Sequence, residues 1–229
     1  MIVYHIIHVI IFGIYIGPKS NYIQNNCIKR IFGHLNLFYL SIESIYKMDL
    51  TSKLDHMNRY LIQLVGKPYK FWEGEDIRQD GEPFWVGHGT VDASQVTSVS
   101  CTGLLNLVYR YLEKIIPDID NNTCFFPGGT RSWVTALFTK YGYPIYQPTS
   151  LYPMGTLLIR SYREYKDQGH VAIIFNENQD TVHSRPMDMV IRRGVVAPGV
   201  VVEPPSSMDR FTNSCFYEYF YTFDQWTGL

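Results

Sequence analysis

The sequence has no close cysteine pair, no excess of charge of one sign and no long apolar run. Its cysteines, Cys27, Cys101, Cys124 and Cys215, are far apart, which argues against a zinc site or a disulfide framework and favours a reducing compartment such as the cytoplasm. The formal net charge is −1, whereas a nucleic-acid-binding protein would be strongly basic. Binding to nucleic acid is therefore not expected.

The chain begins with an apolar stretch, IVYHIIHVIIFGIYI, over residues 2–16. A membrane-spanning helix needs about 20 apolar residues, and a secretory signal needs a basic start and a cleavage pattern that are absent here. Membrane contact by this stretch is disfavoured rather than excluded. His5 and His8 are three residues apart, but a metal site needs three or four ligands, so no metal is expected there.

The character of the sequence changes near Met48, where MDLTSKLDHMNRYLIQLVG combines helix-capping residues with a stop at Gly66. Its apolar residues recur at helical spacing: Leu54, Met57, Leu61 and Leu64. We therefore expect residues 1–47 to be an N-terminal extension of undetermined role and residues 48–229 to form one domain.

Helical patterns in this domain precede strand patterns. A second helix is expected from Cys101 to before Pro117, and a third after Thr130. The face of the second helix that we expect to be buried comprises Leu104, Leu105, Val108, Leu112 and Ile115. Strand-like segments follow in the order GTLLIRSY, GHVAIIF, DTVHSRP, VIRRGVVA and SCFYEYFYTF. This order predicts an α+β domain with the helices packed on an antiparallel sheet.

Cys101 opens the second helix directly after the polar run VTSVS. The thiolate is the attacking form of cysteine, and the amide dipoles at a helix N-terminus favour it. Cys101 is thus a candidate nucleophile with a lowered thiol pKa, and the alternative is a small structural residue. A nucleophilic cysteine needs a base, and His170, which opens the strand VAIIF after Gly169, is the best placed histidine; His88 is less constrained.

Several short motifs occur together in this domain: GKPYKFW, SCTGLLNLVYR, GTLLI with GHVAIIF, and VHS. In this order they resemble the NlpC/P60 superfamily of papain-like cysteine peptidases over roughly residues 50–190, and GHVAI also resembles the related CHAP amidases. The resemblance implies a papain-like fold with Cys101 as nucleophile, His170 as base and His183 as the group that orients it. It also implies that Tyr69 lies on the substrate side of the cysteine.

The resemblance further implies hydrolysis of amide bonds, in peptides such as those of peptidoglycan, without a metal or cofactor. Ser100, Thr102 and Thr156 stand where the family often has Asp, Ser and Asp, so the substrate is left open. Two alternatives remain at this point. The domain is a catalytically silent peptide-binding module of the same fold, or an acyltransferase or deamidase that acts on proteins or lipids.

The long segment between Trp72 and Cys101 carries Phe84 and Trp85. Aromatic residues on a loop beside a nucleophile offer a ligand a flat apolar surface, so we expect Trp85 to bind substrate. The alternative is that these aromatic side chains fix the loop to the core.

The turn between the two histidine-bearing strands sets their register. If NENQ is a four-residue turn, Phe175 pairs with Asp180, and His183 then faces Ala172. Ala172 is two residues from His170 and so lies on the same face, which brings the two imidazoles within reach of each other. We expect the sulfur of Cys101 near one nitrogen of His170 and His183 near the other.

Overall fold

The computed structural model describes residues 49–70, 85–119, 127–163, 169–185, 199–204 and 217–229. The chain divides into two units between Asp49 and Leu50, and all described residues except Asp49 belong to the second. Predictions for the following positions lie outside the described residues: 1–47 with His5, His8 and Cys27, the loop up to Phe84, Cys124, 190–197 and Cys215.

Three of the four helices in the described chain precede the strands. The helices are α1 over residues 49–64, α2 at Cys101–Tyr111 and α3 at Thr130–Tyr141, with a short 3₁₀ turn at Ala93–Gln95. The strands are β1 at Leu157–Arg160, β2 at His170–Ile174, β3 at Thr181–Arg185, β4 at Gly199–Glu203 and β5 at Tyr219–Tyr221, and α4 follows at Phe223–Thr227. They form one antiparallel sheet in the order β4-β3-β2-β1-β5. The predicted α+β class is confirmed.

The main core lies between the helices and one face of the sheet. α1 buries Met57, Leu61 and Leu64 completely, as its apolar spacing predicted, and ends before Gly66, whose φ is +85°. α2 packs against β2 and β3. The opposite face of the sheet is covered by a smaller cluster that includes the buried rings Tyr146, Tyr152 and Tyr217.

The C-terminal end of α2 differs from the prediction. The helix ends at Tyr111, and Glu113 adopts a left-handed backbone with φ 59°. The N–H of Glu113 bonds to the carbonyl of Arg110 and that of Lys114 to Tyr109, which together form a Schellman-type cap. The expected burial of Ile115 is wrong, because the chain turns there and leaves this side chain 62% exposed.

The turn over residues 176–179 joins β2 to β3 in the predicted register. The N–H of Phe175 donates to the carbonyl of Asp180 at 2.7 Å, and Ile173 faces Val182. The side-chain amide of Gln179 holds the turn in place through 2.8 Å bonds to both the N–H and the carbonyl of Tyr152. Side chains alternate along a strand, so this register places the two histidines on one sheet face.

Candidate active site

Cys101 is the first residue of α2, and local packing explains why the helix begins there. The hydroxyl of Ser100 accepts a 3.0 Å hydrogen bond from the N–H of Gly103, so Ser100 is the N-cap. A Cβ at position 103 would lie 2.8 Å from atoms of both Trp85 and Val99, so this turn of the helix requires glycine. The first turn of α2 therefore holds Cys101 at the helix N-terminus, as predicted.

Two other segments hold the chain just before the helix. The N–H of Val99 donates to the carbonyl of Pro68 at 2.9 Å, and its carbonyl accepts a 2.6 Å hydrogen bond from the hydroxyl of Ser184 on β3. Both backbone polar groups of Val99 are thus bound two residues before Cys101. Tyr69 follows Pro68 directly and is half-buried, so its chain position is close to this segment, and its role with substrate stays a prediction.

The sulfur of Cys101 lies where β2 and β3 stop pairing. Among the described residues these strands pair only at Ile173–Val182 and Ile174–Thr181, although both extend further. Like the N–H of Phe175, the N–H of Val171 is on the side of its strand that faces β3. This N–H lowers the pKa of the Cys101 thiol. The backbone of the residue that follows His170 therefore acts on the Cys101 thiol.

Burial raises the pKa of the Cys101 thiol to about 11. The backbone N–H groups of Thr102, Val171 and Cys101 itself and the positive charge of Arg160 act in the opposite direction, but they do not outweigh the loss of solvation. The lowered thiol pKa expected from the helix N-terminus is therefore wrong for the ligand-free protein. The thiol is neutral at rest.

His170 and His183 are in direct contact. Nε2 of His170 lies 2.8 Å from Nδ1 of His183, and the ring planes are nearly perpendicular at 82°. The two residues are 3% and 0% exposed. The predicted contact between the imidazoles is confirmed, and it comes from the register of the 176–179 turn. The ring of Tyr217 lies beside His170, with the centroids 6.0 Å apart.

Beyond His183, Glu203 and Arg185 extend the series of side-chain contacts, and neither was predicted from the sequence. Oε2 of Glu203 lies 3.2 Å from Nε2 of His183, and Oε1 of Glu203 forms an ion pair with Nη1 of Arg185. The available signal was the strand sequence GVVVE, an apolar run closed by a carboxylate. That signal does not reveal the neighbour of Glu203, which depends on the pairing of β4 with β3.

Trp85 is not at a ligand surface. It is 1% exposed and belongs to the main core, where its ring lies against Gly103 of α2. The following residues are held by the side chain of Arg110, which donates to the carbonyls of His88 and Gly89 at 2.7 Å each. The prediction that Trp85 binds substrate is corrected: it fixes this part of the loop to the core.

Within the described ranges, no group of three His, Cys, Asp or Glu residues is arranged to hold a metal ion. None of the helices in those same ranges is long and apolar enough to cross a membrane.

No family model, curated protein or solved structure matches the chain.

Proposed function

We propose that the protein is a cysteine-dependent amide hydrolase of the NlpC/P60 type, acting on peptides such as those of peptidoglycan. Cys101 is the nucleophile, His170 the base and His183 the group that orients His170. One observation carries the proposal. A buried pair of imidazoles, joined at 2.8 Å, includes His170 of β2, and the backbone of the next residue on β2 lowers the pKa of a cysteine thiol at a helix N-terminus. Nucleophile, base and orienting group are the parts that thiol catalysis requires.

The raised pKa of Cys101 decides how the first step proceeds. Because the resting thiol is neutral, its proton passes to His170 as the sulfur attacks the amide carbonyl, so the imidazole acts as a general base. The protonated His170 then gives the proton to the leaving amine as the C–N bond breaks. Water, activated by the same imidazole, hydrolyses the thioester and restores the thiol.

Negative charge that develops in this step has neighbours that stabilise it. The N–H groups of Cys101 and Thr102, at the start of α2, stabilise negative charge on the sulfur. Arg160 adds a positive charge from β1, where its backbone lies opposite that of His170 in the strand register. Backbone donors fixed before the reaction are effective because they need no reorganisation as charge forms. Such donors suit both a thiolate and the oxyanion of a tetrahedral intermediate.

The test is turnover of peptidoglycan fragments and peptide amides by the full chain, with the acyl-enzyme trapped and located by mass spectrometry. We expect hydrolysis and an acyl group on Cys101, and loss of both in Cys101→Ser. Cys124→Ser is the matched cysteine control and should retain activity. Undiminished turnover by Cys101→Ser would refute the proposal. Transfer of the acyl group to an added amine rather than to water would instead indicate an acyltransferase.

A second function is favoured by the raised thiol pKa itself. A catalytically silent module that binds peptides has no need of a reactive thiol, and a half-buried cysteine with a raised thiol pKa is compatible with that role. A peptide carrying a thiol-reactive group separates the two functions. Covalent labelling of Cys101 that is lost in His170→Gln supports the hydrolase, whereas reversible binding without labelling supports the binding module.

A further inference from the structure

We propose that Glu203, held by Arg185, is a positioning residue that sets the protonation of both histidines and makes Nδ1 of His170 the atom that accepts the proton of Cys101. The role of that atom rests on the hydrolase function proposed above. The protonation states follow from contacts among four side chains and are measurable without any substrate.

The four side chains form a continuous series that is buried except at the partly exposed Glu203. His170 Nε2 contacts His183 Nδ1 at 2.8 Å, His183 Nε2 contacts Glu203 Oε2 at 3.2 Å, and Glu203 Oε1 contacts Arg185. The side chains of His183, Glu203 and Arg185 are 0%, 12% and 5% exposed. Polar side chains withdrawn from water in this way are costly to leave without partners, so their hydrogen-bonding directions are strongly constrained.

The strand pairing explains why these side chains meet. Thr181 faces Glu203 and His183 faces Val201, so Glu203 is the diagonal neighbour of His183 on the same sheet face. Arg185 is two residues beyond His183 on β3 and shares that face. The guanidinium only donates hydrogen bonds and is always charged, so it holds one carboxylate oxygen and favours the ionised form of Glu203.

An ionised carboxylate only accepts hydrogen bonds, so Nε2 of His183 must carry the proton that Glu203 Oε2 receives. Neutral His183 then has its lone pair on Nδ1, and Nε2 of His170 must donate to it. Neutral His170, protonated at Nε2, has its lone pair on Nδ1. Glu203 therefore selects, through two rings, the nitrogen of His170 that takes a proton.

A hydrogen bond in the opposite direction between the two imidazoles would prevent His170 from acting as the base. If Nδ1 of His183 donated to Nε2 of His170, the proton of neutral His170 would sit on Nδ1, and that atom would have no lone pair for the thiol proton. Both orientations satisfy the contact between the rings equally well. The carboxylate of Glu203 makes them unequal, which gives its ion pair with Arg185 a use beyond stability.

We expect the variant Glu203→Gln to reverse the direction of the hydrogen bonds from residue 203 through His183 to His170. Arg185 donates only, so it retains the amide oxygen and leaves the NH₂ group facing His183 Nε2. His183 Nε2 must then accept, its Nδ1 must carry the proton, and His170 becomes protonated on Nδ1. Removing the arginine as well, in Glu203→Gln/Arg185→Leu, lets the amide turn its oxygen to His183 and restores the original orientation in part.

The experiment is ¹⁵N NMR of the imidazole nitrogens in the full chain, which reports which ring nitrogen bears the proton. We expect Nε2–H on both His170 and His183 in the unsubstituted protein, and Nδ1–H on both in Glu203→Gln. Glu218→Gln is the matched control, because Glu218, just before β5, pairs with Arg163 and does not contact either histidine through any described bond. That variant should keep the original pattern.

Turnover gives the second measurement. We expect kcat to fall by about 10²-fold or more in Glu203→Gln, the size of a general-base contribution, with KM little changed and partial recovery in the double variant. Nδ1–H on His170 in the unsubstituted protein would overturn the proposal even if no variant folds, and so would an unchanged NMR pattern in folded Glu203→Gln. A protein with the expected NMR pattern but no hydrolase activity would refute the hydrolase function alone.

Discussion

The hydroxyl of Ser184 donates a 2.6 Å hydrogen bond to the carbonyl of Val99. This bond joins the residue that follows His183 to the residue two before Cys101. Alternation along β3 directs His183 to one face of the sheet and Ser184 to the other, where α2 packs. One strand therefore supports the imidazole pair with one residue and the nucleophile's segment with the next.

Ser184→Ala should show how much the hydrogen bond between Ser184 and Val99 contributes to stability and how much to catalysis. The buried carbonyl of Val99 loses its partner, so we expect the free energy of unfolding to fall by about 1–3 kcal/mol. The position of Cys101 relative to His170 also becomes less defined, so kcat should fall more than KM rises. Denaturant unfolding and steady-state kinetics measure these effects. Thr139→Ala, which removes an exposed hydroxyl bonded within α3, is the control. A loss of stability with unchanged kcat would show that the bond serves the fold only.

The reactivity of Cys101 should follow its raised pKa. In the ligand-free protein, alkylation by iodoacetamide at Cys101, read by peptide mass spectrometry, should increase with pH well above the range of an ordinary thiol and approach its midpoint near pH 11. A midpoint below that of an ordinary thiol would mean that the helix N-terminus outweighs burial.

The same shift predicts a pH dependence of stability. An acid whose pKa is raised in the folded state keeps its proton there while the unfolded chain loses it, so stability is lost as pH rises from the ordinary thiol value towards about 11. The Cys101→Ser variant has no thiol at this position, so its unfolding free energy should not show this decrease. The difference between the unfolding free energies of the two proteins should therefore change over this pH window, and a constant difference would contradict the shift.

His170→Gln should abolish turnover, because no other described group is proposed to take the thiol proton. His183→Gln should leave measurable activity but lower kcat by about 10²-fold, since the base remains and loses only its orienting partner. Both variants remove a buried contact, so circular dichroism must first show that each is folded. Equal kcat for His183→Gln and the unsubstituted protein would remove His183 from the mechanism.

Trp85→Ala should act on stability rather than on substrate affinity. The ring is 1% exposed and packs against α2, so its removal leaves a cavity, and we expect a loss of about 3–5 kcal/mol. Phe138→Ala is the control, because Phe138 is 41% exposed. Urea unfolding measures both variants. Unchanged stability together with weakened peptide binding would restore the substrate-binding role first expected for Trp85.

A chain that begins at Met48 should fold cooperatively. α1 supplies Met57, Leu61 and Leu64 to the main core, and the chain divides at Asp49–Leu50, so the second unit retains its own core. A single sharp transition in thermal unfolding would support this. If the shortened chain is unfolded while the full chain is folded, residues 1–47 belong to the same cooperative unit.

Features that depend on near neighbours along the chain could be predicted from the sequence alone. Apolar spacing predicted α1 and the start of α2, because a helix repeats its buried face every three to four residues. The four-residue turn set the register of β2 and β3, since turn length leaves only one pairing that keeps the apolar residues together. The contact between His170 and His183 followed from that register and needed no knowledge of the rest of the fold.

Tertiary structure decided the features that depend on which distant segments pack together. The thiol pKa of Cys101 rises because β2 and the first turn of α2 remove water from the sulfur, and no local pattern reports that burial. Trp85 is buried because Gly103 leaves room for its ring. Glu203 meets His183 because β4 pairs with β3, although they are 20 residues apart in the chain. Desolvation and long-range pairing are properties of the assembled core, whereas periodicity belongs to each segment alone.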